Sequence, residues 1–205
     1  MDVTLNAMID RYLLHALESE RGAVEVYATS LSTTPNSGWR RELTRFLDDA
    51  RKHEQWMTCV CDQLGMDPEE PVAGRDLIAF QTLSMIEAIR DASRSGDALL
   101  VPLVASECIV LAETRNQLAW APFTRIAANV RHECVQILSR FATDVRSEHA
   151  HHLARAMQRS RRLWRRRLGL DAPGRARIVQ IPHTGPAANA GSDTAQMQDL
   201  AATAA

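Results

Sequence analysis

One carboxylate constrains this chain more than any other residue. Ile9, Leu13, Ala16, Val24, Tyr27 and Leu31 recur at spacings of three and four, the apolar row of one helix face. Glu20 falls in the same row, four residues after Ala16 and seven before Tyr27. A buried carboxylate without a partner costs several kcal/mol. A fold that buries this face must therefore also supply Glu20 with a partner. Long alternating β-branched runs are missing and aromatics make up only 5% of the 205 residues. The other elements are expected to be helical as well.

The apolar period predicts helices over about 4–32, 38–64, 75–95, 97–120 and 123–168, the last with a break near Arg131–Glu133. The second carries the stripe Leu43, Phe46, Leu47, Ala50, His53, Met57, Cys61 and Leu64. The third carries Leu77, Phe80, Leu83, Met85 and Ile89, and the last Ile126, Val130, Ile137, Leu138, Phe141, Val145 and Ala156. Pro35, Asn36 and Gly38 break the chain after the first helix, and Gly65 with Pro68 stops the second. From Asp171 the sequence turns to Ala, Gly, Pro, Thr and Ser. Residues 171–205 are expected to form a disordered tail behind a helical domain over 1–170.

Hydrophobic residues at 45%, charged residues at 24% and a net charge of −1 describe an ordinary soluble balance. MDVTLNAMID has no basic n-region and no apolar h-region, so no secretory signal is expected. No apolar run approaches the about 18 residues of a membrane span, so a cytoplasmic protein with no membrane partner is expected. Cys59, Cys61, Cys108 and Cys134 lie in helical patterns without CxxC spacing and read as reduced thiols. Lys52 is the only lysine, and Arg155–Arg167 holds seven arginines and no acid. That run reads as a solvated helix end, where Arg complements the helix dipole. Nucleic acid is not the expected partner.

A repeat accounts for Glu20. Glu20 precedes Tyr27 by seven residues, and Glu113 precedes Trp120 by seven. Each pair sits on a helix followed by one that carries histidine, His53 in the first case and His152 in the second. The segment 66–96 is long enough to carry the chain back between the two hairpins. Four helices can aim carboxylates and imidazoles at one point, and a glutamate from each of two helices with Glu-x-x-His on the other two builds a di-iron or di-manganese site. Metal cations would offset the burial of both glutamates.

Several stretches resemble the ferritin-like superfamily, in particular its small bacterial, stress-associated members: LLHALESERGAVEVY, FLDDARKHEQWMTCVCDQLGMDP, VASECIVLAETRNQLAW and EHAHHLARAMQRSRRLWRRRLGL. The resemblance covers roughly 5–170. It implies an all-α, ferritin-like antiparallel four-helix bundle with an extra crossover helix. It further implies two Fe or Mn ions as cofactor, and oxidation of Fe(II) by O2 or peroxide in stress protection. Glu20 and Glu113 match the single glutamates of the first and third bundle helices, and His53 the histidine of the second. The glutamate three residues before that histidine is replaced by Ala50, with Asp49 and Glu54 as neighbouring carboxylates. On the last helix Glu148 and His152 are the first choice of ligands, with His149 and His151 as alternates. Asp49 and Asp144 are candidate acceptors for the second ring nitrogens.

The competing reading is a degenerate, metal-free helical bundle that acts as a protein-interaction module. Glu20 and Glu113 would then pair with Arg21, Arg51 or Arg115. Tyr27 and Trp120 are expected as core aromatics beside the site. His15, His132 and His183 read as surface or tail residues, and Glu18, Glu25 and Glu107 as surface or outer acids. A homo-dimer through an apolar bundle face is expected.

Overall fold

The computed structural model describes the backbone of residues 3–129 and 133–170. These residues form helices α1 (Val3–Thr33), α2 (Ser37–Gln63), α3 (Arg75–Arg94), α4 (Leu100–Trp120), α5 (Phe123–Asn129) and α6 (Glu133–Arg167). No strand occurs among them, so the chain is all-helical there. No described helix is long and apolar enough to cross a membrane. The expected tail disorder, the break at Arg131, Val130, His132, His183 and the side chain of Cys134 lie outside the described residues.

Local sequence sets the helix ends. The Asn36 side chain accepts the Trp39 amide at 2.8 Å and caps α2, where the first amides have no helical partner. Gly65, at φ +69, closes α2 with the paired bonds Met66 N to Cys61 O (2.9 Å) and Gly65 N to Asp62 O (3.0 Å). This is the left-handed stop that the Gly65–Pro68 signal predicts. Gly169 closes α6 in the same way, with Leu170 N to Arg165 O at 2.8 Å.

α1 packs on α2, α3 and α4, while α6 packs on α4, α5 and α2. The apolar interior has two main clusters. One gathers Tyr27, Phe46, Ala50, Ala112 and Ala156; the other gathers Leu13, Met57, Trp120, Leu138 and Val145. Glu20 on α1, His53 on α2, Glu113 on α4 and His149 and His152 on α6 each fall between a residue of one cluster and a residue of the other. A polar layer thus separates two apolar ones. Reading along the chain, α1 and α6 run from the second cluster to the first, and α2 and α4 run the other way.

The predicted stripe of α2 is buried apart from half-buried Leu64. That of α3 is corrected in part: Ile89 is buried and Met85 half-buried as expected, but three of its residues are not. Leu77, Phe80 and Leu83 are exposed, and the buried row is Arg75, Ile78, Thr82, Ile86, Ile89 and Ala92. Both rows have helical spacing, so the period alone does not choose between them. The neighbour does: Gly22 of α1 lets Thr82 approach so closely that an added Cβ would lie 2.3 Å from the Thr82 hydroxyl oxygen. On α6, Leu138, Val145 and Ala156 are buried as expected, whereas Ile137 and Phe141 are partly exposed.

Candidate metal centre

Glu20, His53, Glu113, His149 and His152 meet in the polar layer, and each is at least 98% buried. They form two groups of potential ligand atoms, each group lying within 4.8 Å. Glu20, His53 and His149 make one; Glu113, His149 and His152 make the other. Each group offers one carboxylate and two imidazoles, and His149 belongs to both.

His149 is the hub. Its Nε2 lies 3.0 Å from Glu20 Oε1 and its Nδ1 lies 2.8 Å from Glu113 Oε2. Both ring nitrogens can donate at once only in the imidazolium form. Burial alone would lower the His149 pKa, but the two carboxylates outweigh it and raise it to about 10. Burial conversely raises Glu20, yet the His149 and His53 imidazoles hold it at about 2. Glu113 is likewise pushed up by burial and drawn below the ordinary carboxylate range by His149 and His152.

Around this hub the two halves repeat crosswise. Trp120 Nε1, seven residues after Glu113, donates to Glu20 Oε1 at 2.5 Å. The Tyr27 hydroxyl, seven residues after Glu20, donates to Glu113 Oε1. His53 Nδ1 lies 3.8 Å from Glu20 Oε2, and His152 Nδ1 lies 3.6 Å from Glu113 Oε1. The outer nitrogens cross over too. His53 Nε2 meets Glu148 Oε2 at 2.7 Å, and His152 Nε2 meets Asp49 Oδ2 at 3.3 Å. Glu20 therefore corresponds to Glu113, Tyr27 to Trp120, Asp49 to Glu148, Ala50 to His149 and His53 to His152.

Two buried atoms in this layer, His53 Nδ1 and Asn116 Oδ1, have no hydrogen-bond partner among the described residues. The Asn116 amide nitrogen donates to Glu20 Oε2 at 3.3 Å. Buried polar atoms without partners are rare, and a cation is one way to satisfy them. Carboxylate oxygens and imidazole nitrogens suit Fe(II) and Mn(II), and an acid behind the second ring nitrogen, as behind His53 and His152, is the kind of partner that orients an imidazole toward a metal.

The sequence candidates sort clearly. Glu20, His53, Glu113, His149 and His152 are brought together. Glu148 stands outside both groups, one third exposed, between His53 and Lys52 Nζ (3.7 Å). His151 is exposed and packs its ring on Phe46. Glu54 turns to Arg21, Glu107 accepts from Trp164, and Asp144 is exposed. The proposed arginine partners are elsewhere: Arg21 meets Glu54 and Glu69, Arg51 meets Asp48, and Arg115 meets Ser19 and Gln81. Imidazoles, an indole, an amide and a phenol partner the two glutamates instead. Cys59, Cys61 and Cys108 are free thiols and belong to neither ligand group. Asn116 carries no ligand signature of its own in the sequence; its position three residues after Glu113, on the same helix face, is the signal that places it here. Comparison of the chain with protein-family models, with curated proteins and with solved structures finds no match.

Proposed function

We propose that this chain is a ferritin-like, antiparallel four-helix bundle, formed by α1, α2, α4 and α6 with α3 as the crossover, that holds Fe or Mn ions in its polar layer. His53 Nδ1 carries the reading: it is buried, has no hydrogen-bond partner and faces Glu20. Glu20, His53 and His149 would hold one ion, and Glu113, His149 and His152 the other. A pair of ions held by these donors would supply oxidation of Fe(II) by O2 or peroxide, a protective activity under stress. Glu148 and Asp49 orient His53 and His152, and their negative charge balances that of a second divalent ion.

The metal-free bundle remains the second reading because one observation favours it. Protonated His149 bridges Glu20 and Glu113, so both carboxylates are paired without any ion. Binding one ion through His149 displaces one ring proton and binding both ions through it displaces two, which makes affinity depend on pH.

Anaerobic titration of the full chain with Fe(II), after purification without a metal-chelating tag, separates the two. Bound iron counted by elemental analysis should reach two per chain and fall in both Glu20→Ala and Glu113→Ala. One iron per chain would mean that sharing His149 limits the site to a single ion. No binding of iron or manganese would establish the metal-free reading.

A further inference from the structure

A second site lies outside the polar layer. A groove of about 560 Å3 runs between α1, α3 and α4, and none of the five buried Glu and His residues lines it. Its volume falls within the range of small-molecule sites. The floor is made by Gly22, Ala23, Ala88 and Ala112, and Ile78 and Met85 line its wall. Phe80, Leu111 and Leu118 form the rim and remain 66%, 62% and 71% exposed.

Among the described residues, Arg115 is the one charged residue in this lining, and no acid accompanies it. It makes no ion pair among the described residues. Its hydrogen bonds are long, Nε to Ser19 Oγ at 3.4 Å and Nη1 to Gln81 Oε1 at 3.4 Å. The guanidinium is half-buried. A partly desolvated cation without a counter-ion is matched by a carboxylate, whose two oxygens fit the guanidinium fork.

We propose that this groove binds a long-chain carboxylate, with its head on Arg115 and its apolar chain along the small-residue floor beneath Phe80, Leu111 and Leu118. The apolar body accounts for the exposed rim, and the head accounts for an arginine that faces no acid. The proposal is independent of the metal reading.

Calorimetric titration of the full chain with dodecanoate and with dodecanol tests it. Dodecanoate should bind one per chain, roughly tenfold or more tighter than the alcohol, as one charge-assisted pair at a partly buried site provides. Arg115→Gln should bring the two affinities together, while Arg115→Lys should keep a preference for the carboxylate. Ser84→Trp, at an exposed lining position, should abolish both. Circular dichroism establishes that each variant is folded. Equal affinities in the unaltered chain, or an unchanged preference in Arg115→Gln, would overturn the proposal. So would a dimer, seen by sedimentation, that excludes both ligands and falls apart in Ser84→Trp, because a second copy of the chain would then fill the groove.

Discussion

The two halves of the polar layer share one plan, and they differ most at one position. Each places a glutamate, an aromatic seven residues later and a histidine with an acid behind it. Each glutamate takes its aromatic donor from the other half, Trp120 for Glu20 and Tyr27 for Glu113. The halves part at Ala50 and His149. Three residues before His53 stands a methyl group in the apolar cluster of Tyr27 and Phe46; three residues before His152 stands an imidazole between both carboxylates. A symmetric scaffold thus holds an asymmetric centre, and His149 serves both halves. The crossing also ties the halves together, since removing a group from one exposes a carboxylate of the other.

Replacing His149 should break the arrangement most. In the chelated chain, His149→Ala leaves Glu20 and Glu113 buried without their cation, a loss of about 3–5 kcal/mol. Urea unfolding measures it. A change of less than about 1 kcal/mol would mean that the two carboxylates find other partners, and the hub assignment fails.

The crossed aromatics should come next. Tyr27→Phe and Trp120→Phe each remove a donor to a buried carboxylate, with a loss of about 1.5–3 kcal/mol. Glu113 keeps His149 and His152 in the first variant, whereas Glu20 keeps Asn116 as well as His149 and His53 in the second. The double variant should be close to additive if each bond serves only its own glutamate, and non-additive if His149 couples them.

Asp49→Asn and Glu148→Gln sharpen the comparison at the outer acids. Each should weaken Fe(II) binding about 10–100-fold while leaving helicity unchanged. Because Glu148 lies 2.7 Å from its histidine and Asp49 lies 3.3 Å from its own, the Glu148 variant should lose more. Equal losses would mean that the contacts are interchangeable, and no loss would mean that neither acid orients a ligand.

The dependence of stability on pH in the chelated chain tests the same hub without a substitution. Glu20, held at about 2 against an ordinary 4.5, contributes stability that is present above pH 4.5 and lost as pH falls toward 2. His149, raised to about 10 from 6.5, contributes stability that is full below pH 6.5 and lost as pH rises toward 10. These two groups place the optimum between pH 4.5 and 6.5. A flat urea midpoint from pH 6.5 to 10 would mean that His149 carries no proton between the carboxylates.

The sequence by itself determined the helices and their ends, because period and capping are local. Apolar spacing fixed α1, α2 and α4 to within three residues at each end, and Asn36 and Gly65 acted as their residue types require. It also marked Glu20 and Glu113, since a charge inside an apolar row contradicts its neighbours and the contradiction occurs twice. Only the tertiary structure decided which of two helical rows α3 buries, because both satisfy the period and the approach of Gly22 to Thr82 selects one. It alone gave Glu20 an indole and an amide from α4 in place of an arginine, and gave Glu113 the phenol of Tyr27. It likewise moved Glu148 out of the cluster and put His149 at its middle. A helix period fixes the face on which a side chain lies but not the axial register between helices, and the partner of a buried charge depends on that register.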